Sequence, residues 1–258
     1  MALLLFELYK KLNLEIALAF LIGFIAIGLP AVTQSMNEII VFLIAIIFSL
    51  IILRKKDLNN GLIELFFVAG SVTNFLDLLT APLVTLCIPL IISILLFQKE
   101  KLSFKEIMIK LVLMCFSWGM AYGITWAIKW ILVQLVFGRP IISNAIVQAK
   151  VRIGIKTRKI SLSSISDKMI VFLNKRIILV LISIELYSLI KSFMRKKVNK
   201  DIKQLIPYII ILIFPIIWFL VLKEHSRTHA FFTYRILIIS IICIFVIINK
   251  LYEHNSYN

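Results

Sequence analysis

The chain has 258 residues, 61% of them hydrophobic and only 16% charged, and its mean hydropathy is +1.02. That is too apolar for a soluble core with a polar shell, so composition places the chain among polytopic membrane proteins. Its 29 Lys and Arg against 13 Asp and Glu give a net charge of +16, which in so apolar a chain serves topology and contact with anionic headgroups; a nucleic-acid partner would need a soluble basic domain, and none is visible.

The opening stretch MALLLFELYKKLNLE has no positive residue ahead of its short apolar run and carries Glu7 within it, unlike a cleavable signal peptide, so it is expected to be retained. Runs long enough to cross roughly 30 Å of hydrocarbon at about 1.5 Å per residue then follow at Leu14 to Thr33, Ile39 to Leu53, Leu62 to Leu79, Pro82 to Phe97, Ile107 to Trp126, Met169 to Ile190, Leu205 to Leu222 and Thr233 to Ile248. The second and fourth are short enough to be tilted partners of a tight hairpin or a re-entrant pair. The expected fold is all-α: a polytopic transmembrane bundle of about eight spans, forming a single integral membrane domain over 1–258. Cys87, Cys115 and Cys243 all lie inside apolar runs without C-x-x-C spacing and read as small buried hydrophobes.

Orientation follows from Lys and Arg in the short loops. Lys10 and Lys11, then Arg54 to Lys56, then Lys99, Lys101 and Lys105, then the basic run from Lys191 to Lys203 fall on one side, whereas the loops Gln34 to Glu38 and Thr80 to Ala81 carry no positive residue. The first set is expected in the cytoplasm, with both termini. The loop at about 139–168 departs from this: it is basic yet falls outside, which short-loop agreement outweighs because longer loops are weaker determinants. Within it, Val151, Ile153 and Ile155 alternate with Arg152, Gly154 and Lys156, suggesting a short strand or an interfacial segment with a basic face.

Ionisable and polar residues bordering spans are costly and tend to mark function, and here they gather on the expected outer side. Asn74 and Asp77 come at the outer end of the third run, just before the Thr80-Ala81-Pro82 turn, where Asp77 serves either as a hydrated or capping group or as a site carboxylate. In the fifth run Trp118, Tyr122, Trp126 and Trp130 recur every four residues, which predicts one helical stripe with Lys129 beside it. An aromatic belt with Lys129 snorkelling to a lipid phosphate explains this pattern; a platform on which Trp126 stacks a sugar or isoprenoid while Lys129 holds phosphate is the sharper reading. The segment between the last two runs places Glu224, His225, Arg227, His229, Tyr234 and Arg235 together. Arg227 and Arg235 offer planar donor forks for phosphate, and His225 and His229, four apart, can hold or exchange a proton near neutral pH. Ordinary headgroup-binding residues of an interfacial loop are the plainer alternative. Ser226 follows His225, so this is not H-E-x-x-H, and no metal-ligand set is assigned.

The combination of NFLDLLTAPLVTLCIPL, WGMAYGITWAIKW and HSRTHAFFTYR, in chain order across most of Phe66 to Arg235, resembles segments of polytopic bacterial envelope proteins, mostly Gram-positive, related to membrane glycosyltransferases of the C-type fold and associated with surface polysaccharide assembly. The resemblance implies a plasma-membrane location, a polyprenyl-phosphate sugar donor, an outward-facing site and an acidic general base in the first outer loop, often with a divalent metal, and it allows other envelope-assembly membrane proteins as partners. The chain departs from that pattern. Its first outer loop, Gln34 to Glu38, holds Glu38 as its only acid, and Glu224 stands before the His-Ser pair where relatives carry Asn. Either the catalytic front end is absent or Asp77 does that work.

The resulting candidate set is Asp77, His225 and His229 as catalytic groups, with Asn74, Trp126, Lys129, Arg227, Tyr234 and Arg235 binding a lipid-linked glycan. The alternative is a transporter, flippase or accessory subunit without covalent chemistry, for which Pro30, Pro89, Pro207 and Pro215 offer helix breaks and Glu64 and Glu185 are the expected buried acids. No G-x-x-x-x-G-K-[ST] occurs, so the chain is not itself a P-loop ATPase.

Overall fold

The computed structural model describes residues 1–77, 79–154, 183, 184, 186, 187, 190 and 202–252, and every regular element among them is helical. In chain order these are α1 (Ala2–Lys11), α2 (Leu14–Ala26), α3 (Leu29–Val32), α4 (Met36–Arg54), α5 (Leu62–Leu76), α6 (Leu83–Lys99), α7 (Phe104–Phe137), α8 (Ile141–Ile153), α9 (Ile206–Val221), α10 (Lys223–Thr228), α11 (Ala230–Thr233) and α12 (Ile238–Leu251). Short 3-10 turns at Ile202–Gln204 and Tyr234–Leu237 lead into α9 and α12. Among the described residues, three helical stretches are long and apolar enough to cross a membrane: Phe104–Phe137, Ile202–Val221 and Ala230–Leu251.

Local chemistry explains most of the boundaries. The run Leu14 to Thr33, predicted as one span, is two helices, because Gly28 adopts a left-handed backbone (φ 68°) and Pro30 then starts α3. Helix α7 begins on a capping box, in which Ser103 Oγ accepts from the Glu106 amide and the Glu106 carboxylate accepts from Ser103 N at 2.8 Å. It then runs 34 residues, far past the predicted end at Trp126, which at about 1.5 Å per residue is more than a bilayer core needs. Val151 to Ile153 are the last turn of α8, so the predicted strand is corrected to helix there; Ile155, Lys156 and the rest of the basic loop lie outside the described residues. So does most of the sixth predicted span and the run Lys191 to Lys200.

The short fourth run becomes the hub. Every residue of α6 from Val84 to Phe97 is buried, and a helix apolar all round is stable only when other helices surround it. α4, α5, α7, α9 and α12 all pack against it. Helices α5 and α7 approach each other closely. A Cβ added at Gly70 of α5 would lie 2.2 Å from the Trp118 carbonyl oxygen, so only glycine permits this approach. Side chains reinforce the seam: Ser117 Oγ donates to the Ile63 carbonyl at 2.8 Å and Thr125 Oγ1 to Ser71 Oγ at 3.1 Å.

Hydrogen bonds across the bundle sort the helix ends into two groups. At one end, Arg54 closing α4 meets Glu7 of α1 at 2.9 Å, and Lys99 closing α6 donates to the Lys11 carbonyl. There too, Gln98 donates to the Gln204 carbonyl at 2.8 Å and accepts from Tyr208 at 2.9 Å. This lysine-rich end gathers Lys10, Lys11, Arg54 and Lys99. At the other end, the α2–α4 connection, the α5–α6 turn and α10 to Arg235 meet, as the next section details. The two connections that carry no cation, Gln34 to Glu38 and Thr80 to Ala81, thus share this second end with the cationic segment from α10 to Arg235.

Candidate functional site

The histidine end is built from four chain segments. At the C-terminus of α5, Asp77 Oδ1 accepts from the Thr80 amide at 2.9 Å and from the Thr80 hydroxyl, closing the turn that starts α6. Asp77 and Thr80 are both buried. Leu79, between them, has φ 67°, a left-handed backbone that an L side chain rarely adopts. This strained turn points the Leu79 carbonyl at His225 of α10, whose Nε2 lies 2.8 Å away, across 146 residues of sequence. Asp77 and the histidine pair, predicted to share one face, do lie at one end of the bundle.

His225 and His229 sit one helical turn apart with ring centroids 4.9 Å apart, and His229 stacks on Phe232 at 5.1 Å. His225 is 6% exposed, and its pKa is pushed down to about 4, first by burial and further by the charges of His229 and Arg152, against the raising pull of the Leu79 carbonyl. It is therefore neutral at physiological pH. Two imidazoles stand together, but no group of three or more His, Cys, Asp or Glu that could hold a metal occurs among the described residues. His225 already spends Nε2 on a backbone carbonyl.

A pH dependence follows. An unfolded histidine takes a proton near pH 6.5 and folded His225 only near 4. Between those values the unfolded chain binds more protons, so stability present above pH 6.5 falls as pH drops, by roughly 3 kcal/mol in all. Thermal unfolding in detergent between pH 7.5 and 4 should show this loss, and His225→Gln, which keeps a donor for the Leu79 carbonyl but cannot titrate, should flatten it. An unchanged slope in that variant would remove His225 as the cause.

The predicted cations each have a partner within the structure. Lys129 Nζ donates to the Asn74 carbonyl at 2.7 Å and lies 5.7 Å from the Phe75 ring, capping the C-terminus of α5 rather than snorkelling. Arg227 Nη2 donates to Glu224 Oε1 at 2.8 Å, with its side chain 38% exposed. Arg235 is buried and ion-paired with Glu38 of α4, while its Nε has no hydrogen-bond partner among the described residues. Beside it the buried Tyr234 donates to the Ile27 carbonyl at 3.0 Å. Arg235 and Tyr234 thus bind the first helices to the last, and neither presents its polar group to solvent.

Asn74 is buried and its Oδ1 has no partner among the described residues; its side chain meets the Tyr122 hydroxyl, which also feels the Asp77 charge. Trp126 is elsewhere. The aromatic stripe of α7 divides, because residues four apart advance by 400° and drift about 40° per step. Trp118 and Tyr122 stack inward at 5.1 Å, with Trp118 Nε1 donating to Thr85 Oγ1 at 3.2 Å, whereas Trp126 is exposed and meets Trp130 edge to face. Trp126, expected as a stacking wall, thus faces away from the bundle and not toward Asp77 and the histidine pair. Glu64, proposed as a buried acid for transport, is exposed in the first turn of α5; Glu185 lies outside the described residues.

Sequence reasoning missed three members of this end. Glu38 was visible as the one acid of its loop, but its partner was not. Tyr122 was seen as part of a stripe and not as a neighbour of Asn74. Arg152 belongs here because α8 folds back from the end of α7 onto α10, bringing its charge to His225. Compared with known protein families, curated proteins and solved structures, the chain matches none.

Proposed function

We propose that this chain is a multi-pass protein of the bacterial plasma membrane, crossing it about eight times with both termini in the cytoplasm, and that its histidine end faces outward to handle a polyprenyl-phosphate-linked sugar or surface glycan. One observation carries the reading: Asn74, Asp77 and Lys129 from the first half of the chain converge with His225 and His229 from the second, at the end opposite Lys10, Lys11, Arg54 and Lys99. The orientation rests on the positive-inside asymmetry of those loops. Arg227 is the cation best placed to exchange its partner, since its side chain is partly exposed and a phosphate can replace Glu224 with the same two-pronged geometry. If sugar is transferred, Asp77 takes the proton of the acceptor hydroxyl as that oxygen bonds the anomeric carbon and polyprenyl phosphate departs.

A second reading, transport or an accessory role without covalent chemistry, draws on a different observation: Asp77 already serves its own turn through Oδ1, and Lys129, Arg227 and Arg235 are all internally paired. Exposed Glu64 weighs against an intramembrane proton path through that residue.

The test is capture of a photoreactive polyprenyl phosphate by the full chain in proteoliposomes, competed by unlabelled polyprenyl phosphate. Arg227→Gln and His229→Ala should each lower capture about tenfold, the loss of one charge-assisted contact, while Arg54→Gln at the opposite end should not. Equal capture by all variants would dismiss the site. Asp77→Asn keeps an oxygen for Thr80 but no base, so transfer of sugar from a polyprenyl-linked donor should be lost in this variant; transfer that survives would remove Asp77 as the base, and capture without any transfer by the unaltered chain would favour the second reading.

A further inference from the structure

We propose that α1 is an interfacial helix lying across the lysine-rich end of the bundle, seating Leu3, Phe6 and Tyr9 at the acyl-chain boundary of one leaflet and gathering anionic lipid headgroups around Lys10 and Lys11. This is independent of what the histidine end binds.

The direction of α1 comes from its two ties. Glu7, in its middle, meets Arg54 at the last residue of α4, and the carbonyl of Lys11, at its end, meets Lys99 at the last residue of α6. One turn of α1 therefore spans from the end of one bundle helix to the end of another. A helix running alongside them would carry its middle residue away from that plane, so α1 crosses the end face.

Its two sides differ in their partners. Leu4 and Leu8 are fully buried against the bundle, while Leu3, Phe6 and Tyr9 are 47%, 58% and 56% exposed. Two large apolar rings and a leucine on the free side of a surface helix suit the headgroup and acyl boundary, where tyrosine places its ring in hydrocarbon and its hydroxyl in water. The charge alongside selects the kind of lipid. Glu7 is paired with Arg54, which leaves Lys10 and Lys11 as the charges of α1 itself, with Lys99 held on the Lys11 carbonyl beside them. A cationic rim beside an apolar ridge is complementary to an anionic leaflet.

The experiment uses the full chain in vesicles of phosphatidylcholine with phosphatidylglycerol, with Cys87, Cys115 and Cys243 replaced by alanine and an environment-sensitive fluorophore on Phe6→Cys. Nitroxide placed just below the headgroups should quench it most strongly, well above nitroxide near the chain ends and above aqueous iodide. Strongest quenching by iodide, or at the bilayer centre, or by no quencher at all, would overturn the interfacial placement, the last because protein covers the face. Tyr9→Cys repeats the measurement should the first variant fail to insert. For the charge, spin-labelled phosphatidylglycerol should associate with the protein more than spin-labelled phosphatidylcholine, and Lys10→Gln with Lys11→Gln should reduce that preference by up to roughly fivefold per lysine. A preference unchanged by both substitutions would overturn the recruitment of anionic lipid.

Discussion

Replacing Gly70 by alanine is expected to be among the most damaging single substitutions in this protein. The added methyl carbon would stand 2.2 Å from the carbonyl oxygen of Trp118, and that atom belongs to the backbone of α7, so no side-chain rotation can relieve it. α5 and α7 would have to part by more than 1 Å to restore an ordinary contact, loosening the Ser117–Ile63 and Ser71–Thr125 hydrogen bonds along the same seam. Overpacking of this kind costs typically 1–3 kcal/mol and more where backbone must move, so a loss of ~3 kcal/mol or more is expected in detergent unfolding. Gly119 and Gly123 of α7 provide the contrast, because a Cβ on either meets nothing within 4 Å. Alanine there should be neutral or stabilising by up to ~1 kcal/mol through helix propensity. Equal effects at all three glycines would mean that α5 and α7 do not approach as described.

The second large effect concerns Arg235 and Glu38. Both side chains are largely withdrawn from solvent, 8% and 15% exposed, and each is the other's ionic partner. Removing one charge strands the other in a low-dielectric setting, which costs about 3–5 kcal/mol, whereas replacing both by apolar groups of similar size is often close to neutral. Arg235→Met alone should therefore be strongly destabilising, and Arg235→Met with Glu38→Leu should recover most of the loss. Additive single effects in that cycle would show that the pair is not coupled. The same cycle separates two roles for Arg235. An arginine that only ties α4 to the start of α12 leaves lipid-phosphate capture intact once the double variant is stable, and one that also holds phosphate does not.

These two results also explain why the histidine end takes the form it does. Tyr234 on the Ile27 carbonyl and Arg235 on Glu38 hold the last helices to the first, and His225 on the Leu79 carbonyl holds α10 to the α5–α6 turn. The polar groups that look available in sequence are largely the ones that close this end of the bundle. Of these groups, Arg227, with its partly exposed side chain, and the half-buried His229 remain the accessible ones.

Most of the helix positions were legible beforehand, since apolar runs of sufficient length can satisfy their backbone only as helices. α4, α5 and α6 begin and end within a few residues of the predicted runs. The departures have local causes that a hydropathy count does not weigh: Gly28 and Pro30 divide the first run, and the capping box at Ser103 with an uninterrupted pattern to Phe137 extends the fifth. At the candidate site, the meeting of Asp77's turn with the histidine helix was anticipated from loop alternation, whereas the single stripe expected of Trp118, Tyr122, Trp126 and Trp130 divides because a four-residue repeat does not keep one face.

Composition and charge order, read alone, determined that this is an apolar helical chain whose cations are concentrated in alternate short loops, with the basic stretch at about 139–168 as the exception, because burial in lipid and resistance to translocation depend on residue type and run length, and both are local properties. Which cations are free was decided only by tertiary structure. Arg235 and Glu38 lie 197 residues apart, and Tyr234 and Ile27 207, and nothing in either segment specifies its partner until α12 packs on α2 and both α4 and α12 pack on α6. The sequence likewise gives Gly70 no more weight than Gly119 or Gly123; the approach of α7 to within contact of its α-carbon is what makes one glycine indispensable and leaves the others open.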